Sequence, residues 1–256
     1  MTKKDLTIFE KTYTVNILNS DINGRLGLLG LLDILQDIAD EHANSVGLTY
    51  EVMLNKGFFW VMFQQRTMMK RWPTFDEKFT VRTWARSVKN RYAVRESEII
   101  FAGDKIGACS TTLMLLDAKT HRPKRLSSAD LGFEGRTDYQ FDFKTEKIRL
   151  PELKPARDIT VQISDLDINQ HVSNTRYAEW ILNTLPIDYH RRYTIEEYSA
   201  NFINETFFAD DVQCLSRPQL SEVMTDEILH FSGVRHQDNK TVFKAKLISR
   251  PNQHTI

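Results

Sequence analysis

The feature that most constrains this chain is that one unit of it is written twice. Thr160-Val-Gln-Ile-Ser-Asp-Leu-Asp-Ile-Asn-Gln-His-Val172 lies over Thr14-Val-Asn-Ile-Leu-Asn-Ser-Asp-Ile-Asn-Gly-Arg-Leu26 without a gap, at an offset of 146. Six of the thirteen positions are identical. So short a match gains its weight from the order of elements that follows each copy, and a period of this kind has to be settled before any fold is assigned.

In the first copy residues 8–19 alternate as a strand, with Phe9, Tyr13, Val15 and Ile17 on the apolar side. Asp21-Ile22-Asn23-Gly24 then supplies turn chemistry. Leu28, Leu31, Leu32, Leu35, Ile38, Ala39 and His42 recur at intervals of three and four, one face of a helix about four turns long. A short second helix from Tyr50 to Asn55 stops at Gly57. A meander follows, with strands expected over 58–70, 78–88, 91–102 and 106–117 and a hairpin turn at Ala102-Gly103-Asp104-Lys105. The second copy repeats the order. A helix carries Tyr177, Ala178, Ile181, Leu182 and Leu185 on one face, then strands run over about 195–206, 210–218, 225–236 and 240–249. A helix laid on an antiparallel meander buries the apolar face of both, which gives an α+β domain in duplicate. The domains are expected at 1–135 and 158–256, with Pro123, Pro151 and Pro155 marking aperiodic sequence and 136–157 as a linker with one edge element.

Composition narrows the function. The 34 basic and 34 acidic residues cancel, which argues against a general nucleic-acid binder needing surplus cations. Cys109 and Cys214 are too few for a disulfide scaffold and too far apart for a zinc site. The seven histidines form no H-x-x-x-H or Cys/His cluster, so no structural metal is expected. Met1-Thr-Lys-Lys-Asp has no apolar run behind it, and no stretch reaches a membrane span of ~18 apolar residues. A soluble protein of a reducing compartment, a bacterial cytosol, is the expectation. Gly24-x-x-Gly27-x-x-Gly30 lacks the G-x-G-x-x-G spacing of a nucleotide loop and reads as helix entry and close packing. No G-x-S-x-G elbow is present.

The segment that carries chemistry is Asp165-Leu-Asp167-Ile-Asn169-Gln-His171-Val172-Ser173-Asn174. Extended alternation would place Asp167, Asn169 and His171 on one side of the chain. Ser173 or Asn174 would cap the helix that follows, and its positive end would favour an oxyanion. Histidine moves protons near neutral pH and a carboxylate can orient it. The bland alternative is that Asp, Asn and His only form and cap the turn, which for an arbitrary D-x-N-x-H is the commoner case.

Asp167-x-Asn169-x-His171-Val172-x-Asn174-x-x-Tyr177 followed by Trp180-Ile181 resembles the central signature of the acyl-acyl-carrier-protein thioesterases. The first half is similar to the same family at Asp21-x-Asn23-Gly24-Arg25-Leu26, at Gly57 with Trp60-Val61, and at Arg82-Thr83-Trp84. The resemblance spans roughly residues 8–250. It implies a double hotdog: two antiparallel sheets, each wrapped around a long helix, joined into one larger sheet. It implies hydrolysis of fatty acyl thioesters of acyl carrier protein without a cofactor, and it carries the catalytic role to Asp167, Asn169, His171 and, in Asn204-Glu205-Thr206, to Glu205. The family's cysteine beside that glutamate is Thr206 here, which disfavours a thiol nucleophile and leaves activated water. Arg25 stands where His171 does in the other copy and cannot serve as a base, so one site is expected, in the C-terminal half, with the N-terminal half shaping the acyl pocket. Leu31, Leu35, Met53, Trp60, Met62, Met68 and Met69 could line such a channel or simply pack a core.

An acyl-coenzyme A thioesterase and a catalytically silent acyl-binding module are the competing readings. Chain length, saturation, and assembly as a monomer or a homodimer stay open. The densest basic run, Lys119, His121, Arg122, Lys124 and Arg125, is either a solvated loop or a docking site for the acidic carrier. If it docks the carrier, reversing these charges raises KM several-fold for carrier-bound substrate and leaves a small thioester unaffected; equal effects on both would reject docking there.

Overall fold

The computed structural model describes residues 7–86, 92–125, 132–217 and 228–252. The chain divides into two compact units, Met1–Ser20 with Arg25–Thr145, and Asp21–Gly24 with Glu146–Ile256.

The first unit contains β1 (Ile8–Thr14), α1 (Leu28–Ser45), α2 (Tyr50–Asn55), β2 (Phe58–Met69), β3 (Lys78–Ala85), β4 (Tyr92–Phe101) and β5 (Asp104–Asp117). Its strands lie in the order β1-β3-β4-β5-β2, all antiparallel. The second unit contains β6 (Lys154–Thr160), a 3-10 turn (Ile163–Asp165), α3 (Asn174–Leu182), α4 (Ile187–Arg192), β7 (Tyr193–Phe202), β8 (Asp211–Arg217), β9 (Leu229–Arg235) and β10 (Thr241–Pro251). Its order is β6-β8-β9-β10-β7. Both units therefore place their strands first, third, fourth, fifth, second against a helix. This is the hotdog arrangement, in tandem, and the repeat in the sequence is a repeat of topology.

The elements form for local reasons. Leu28, Leu31, Leu32, Ile34, Leu35, Ile38 and His42 make the buried stripe of α1. Each fully buried leucine contributes about 2 kcal/mol by removal from water. At Gly30 a Cβ would lie 2.4 Å from the Asn19 carbonyl oxygen, so close packing explains that glycine. Gly57, at φ +83°, ends α2 by donating its N–H to Leu54 O at 2.8 Å.

Strand β1 ends at Thr14, short of the expected residue 19. The reason is that Asn16 and Asn19 turn the backbone on themselves: Leu18 N–H donates to Asn16 Oδ1 at 2.9 Å and Asn16 N–H to Asn19 Oδ1 at 2.8 Å. Ile17, assigned to the apolar side of that strand, is 82% exposed. The strand expected to 206 ends at Phe202. Residues 87, 88, 91, 218 and 225–227 of the expected strands lie outside the described residues. The stretch read as a linker is packed at both ends. Phe141 stacks edge-on against the buried Trp84, 5.5 Å between centroids, and its N–H donates to Glu96 Oε1. Ile148 N–H donates to Asn201 Oδ1 at 2.8 Å.

The core of the second unit is a column of rings under α3. Tyr177 lies 5.7 Å from Phe202 and 5.1 Å from Phe243, and Phe243 covers Gly233, where a Cβ would sit 2.3 Å from the ring. Phe243 is wholly buried and has nowhere to move. Gly233→Ala should therefore lower the unfolding free energy by roughly 1–3 kcal/mol, read from the midpoint of a urea melt at unchanged slope.

Candidate active site

Asp167, Asn169 and His171 are brought together by a tight turn and not by an extended strand. Leu166 and Val172 form an antiparallel bridge, and between them Asp167 N–H donates to His171 O at 2.8 Å. Gln170 takes φ +62° to close the loop and donates its N–H to Asp167 O at 2.9 Å. An alternating strand would keep every φ negative, so the expected one-sided alternation does not occur. The Asp167 carboxylate instead braces the turn from inside: Oδ1 accepts the N–H of Asn169 at 2.8 Å and, at a longer 3.4 Å, that of His171.

The loop after β7 comes alongside. Val172 N–H donates to Thr206 O at 2.9 Å, which sets Glu205 beside the turn. Glu205 Oε1 lies 3.5 Å from His171 Nδ1, an ion-pair separation, with the imidazole one-fifth and the carboxylate one-third exposed. Phe207 meets the imidazole edge-on at 4.9 Å between centroids. Both members of this pair are thus open to solvent on one side and held on the other.

Thr206 is completely buried, and its Oγ1 accepts a hydrogen bond from Tyr177 Oη at 3.0 Å. Burial pushes the Tyr177 phenol up to about 12, so it stays a neutral donor. No thiol stands in for the residue at 206. Cys109 and Cys214 are both buried and unpaired, and burial raises both, Cys214 to about 12. A thiolate is the reactive form of cysteine, so neither residue is poised as a nucleophile. At the start of α3, Ser173 occupies the cap position, but its hydroxyl contacts Thr175 Oγ1 and makes no capping bond to the helix backbone; Asn174 is already the first helical residue.

Sequence reasoning missed Arg235. Its Nη1 donates to the Glu205 carbonyl at 2.8 Å and to Asp210 Oδ2 at 3.2 Å, while Nε and Nη2 grip the Asp238 carboxylate at 3.0 and 2.8 Å. The two carboxylates raise the Arg235 pKa further, and Arg235 and Lys240 hold Asp238 well below the usual carboxylate range. The only signal in the sequence was the spacing Arg235-x-x-Asp238 around a hairpin turn. The matching turn of the first copy, Asp21–Gly24, belongs with the second unit, where Asn23 Nδ2 donates to His190 O at 2.8 Å. Asp21 Oδ1 accepts the Asn23 N–H at 2.8 Å, the same bracing that Asp167 gives. Among the described residues no group of three or more His, Cys, Asp or Glu is arranged to hold a metal ion. No helix among them is long and apolar enough to cross a membrane.

Comparison with known proteins bears on both units. Residues 7–129 match the family described as acyl-ACP thioesterase N-terminal domain, and residues 150–247 match acyl-ACP thioesterase C-terminal domain. The chain is 27% identical to the chloroplastic oleoyl-acyl carrier protein thioesterase of Coriandrum sativum, over 87% of this chain and 65% of that protein. It is 23% identical to the chloroplastic dodecanoyl-[acyl-carrier-protein] hydrolase of Cinnamomum camphora, over 82% of this chain and 59% of that protein. It thus spans about three-fifths of the length of these curated relatives. In fold it is similar to the crystal structure of an acyl-ACP thioesterase from Bacteroides thetaiotaomicron, with a TM-score of 0.84 at 23% identity, covering 95% of this chain and 98% of the other. The 12:0-ACP thioesterase from Umbellularia californica gives a TM-score of 0.82 at 18% identity, covering 96% and 95%.

The Arg235 clamp has a measurable consequence. Charge-assisted hydrogen bonds contribute about 1.5–3 kcal/mol each, so Arg235→Met should speed amide exchange at residues 206–210 by at least tenfold while the slowest amides of β9 and β10 keep most of their protection.

Proposed function

Because the chain belongs to the acyl-acyl-carrier-protein thioesterase family, we propose that it hydrolyses fatty acyl thioesters of acyl carrier protein by water that His171 and Glu205 activate. The observation that carries this reading is the placement of Glu205 Oε1 3.5 Å from His171 Nδ1 beside a residue, Thr206, that is no thiol.

With Nδ1–H turned to Glu205, Nε2 is the basic nitrogen and takes a proton from water as its oxygen attacks the thioester carbonyl. The carboxylate stabilises the imidazolium so formed. Collapse of the tetrahedral intermediate breaks the C–S bond, and Nε2–H returns the proton to the departing thiolate, giving fatty acid and carrier thiol. The Asn169 amide and the N-terminal end of α3 are suited to meet the developing oxyanion. Asp167 acts through the backbone it braces, as a positioning residue. Arg25, at the place of His171 in the first copy, offers no acceptor nitrogen to serve as a base, which supports a single catalytic centre and leaves the N-terminal unit to shape the acyl pocket.

Carrier protein is the partner this reading favours, and the basic residues Lys119, Arg122, Lys124 and Arg125 are all exposed. Two unpaired buried cysteines suit a reducing compartment such as the bacterial cytosol.

Loss of the proton carrier costs about 10²–10⁴ in rate, so His171→Ala should reduce kcat for octanoyl carrier protein by that factor, and Glu205→Gln by at least tenfold. Fatty acid release measured beside intact-protein mass spectrometry tests both the residues and the route. Near-normal turnover by His171→Ala, or an acylated enzyme trapped with a slow substrate, would overturn the mechanism.

A further inference from the structure

The loop that carries Glu205 is not held by burial. Residues 203–210 lead from the end of β7 to the start of β8, and Phe207 and Phe208 within them are 43% and 59% exposed. Ala209 takes φ +63°, a left-handed backbone that its Cβ disfavours. Polar anchors on two sides hold this conformation. Val161 brackets the loop from one side, accepting the Ala209 N–H at 3.1 Å and donating its own N–H to Asp210 O at 2.9 Å. On the other side the Asp210 carboxylate closes the turn. Its Oδ2 accepts the Phe207 N–H at 2.9 Å, while the Asp210 N–H donates to Phe207 O at 3.1 Å.

Arg235, at the end of β9, reaches into this loop. Its Nη1 donates both to the Glu205 carbonyl at 2.8 Å and to the same Asp210 Oδ2 at 3.2 Å. The other edge of the guanidinium, Nε and Nη2, is gripped by Asp238 in the turn that leads to β10. A guanidinium is planar and rigid, so fixing one edge fixes where the other points. The Arg235 and Asp210 side chains are only 13% and 18% exposed, so solvent screens their bonds little. The hairpin itself does not depend on this reach. Arg235 N–H already donates to Lys240 O at 2.9 Å, and Asp238 Oδ1 accepts the Lys240 N–H at 3.2 Å.

What the Nη1 edge holds is the backbone of the residue whose carboxylate faces His171. Phe207, whose ring meets the same imidazole, hangs from the Asp210 carboxylate that Arg235 also holds. Two side chains on different residues thus take their places beside His171 from one guanidinium.

We propose that Arg235, anchored by Asp238, is a positioning residue for hydrolysis: it holds the Glu205 backbone so that the carboxylate meets His171, with Phe207 against the same ring. This rests on the reading of His171 and Glu205 as the pair that activates water. It extends the machinery to a hairpin turn thirty residues further along the chain, where Asp238 acts on the reaction only through Arg235. A displacement of about 1 Å in a reacting group costs up to about 10²-fold in rate, so loosening this hold is read in kcat.

The test is turnover of octanoyl carrier protein by the full chain, by Arg235→Met, by Glu205→Gln and by the double variant. Arg235→Met should lower kcat about tenfold and leave KM within about twofold. Because the effect passes through the Glu205 carboxylate, the same substitution made on Glu205→Gln should lower kcat by less than about threefold more. A clamp that only stabilises the fold would instead multiply the two losses. Should Arg235→Met not fold, Asp238→Asn keeps the guanidinium, removes the charge of its anchor and should lower kcat at least roughly threefold at unchanged KM. Full kcat in the folded variant, or multiplied losses in the double variant, would overturn the inference. Normal turnover by Glu205→Gln would remove the pairing of His171 with Glu205 itself; loss in Glu205→Gln beside normal turnover by Arg235→Met would remove the positioning alone. If the unmodified protein releases no fatty acid, the hydrolase reading falls and the positioning is read by nitrogen-15 NMR of the His171 imidazole. Arg235→Met should then move the Nδ1 resonance in the same direction as Glu205→Gln, and an unmoved resonance would overturn it.

Discussion

The hydrogen bond from Val172 N–H to Thr206 O, 2.9 Å long, ties together two stretches of chain that lie more than thirty residues apart. It acts between a turn braced by the Asp167 carboxylate and a loop clamped by Arg235. The side chains that follow from it, His171 on one stretch and Glu205 on the other, need no further device to come within ion-pair distance. A pair of side chains assembled in this way rests on backbone geometry and is little disturbed by the identity of its neighbours. Thr206 satisfies its hydroxyl within the same frame, on Tyr177.

The tandem architecture lets one scaffold hold two chemistries. A strand order of first, third, fourth, fifth, second against a helix buries one sheet face whatever that face contains. In the C-terminal unit rings pack much of it, with Phe243 seated on Gly233 and against Tyr177. In the N-terminal unit Thr67, Thr83, Ser97, Cys109, Thr111, Gln65 and Arg95 share it. The stability forgone by burying these groups is offset in part by their mutual contacts, such as Ser97 Oγ to Thr83 Oγ1 at 2.9 Å and Thr67 Oγ1 to Cys109 Sγ at 3.3 Å.

By itself the sequence determined the duplication, the helices α1 and α2 with the stop at Gly57, the meanders, and the family. These depend on periodicity and turn chemistry, which act over a few residues and are written locally. It also singled out Asp167, Asn169 and His171, although on the wrong geometric ground: alternation was assumed where Gln170 in a left-handed conformation makes a turn. Glu205 came from the family pattern alone, since nothing local distinguishes that glutamate from others in a loop. The early end of β1 escaped because Asn16 and Asn19 look neutral in an alternation count and show their effect only when their side chains cap the backbone.

What only the tertiary structure decided is which groups share a space. Arg235 reaches Glu205 and Asp210 across thirty and twenty-five positions, and the first copy's turn at Asp21–Gly24 belongs with the second unit through Asn23 and His190. The row that places Arg95 beside Thr111 and Gln65 depends on the register of three strands, and a shift of one residue would turn each side chain to the other face. Register is fixed by the sum of all pairings in a sheet and by what covers it, which no short stretch of sequence carries. For that reason the polar interior of the first unit could be read from the sequence only as scattered threonines and an arginine, and from the fold as adjoining rows on one sheet face.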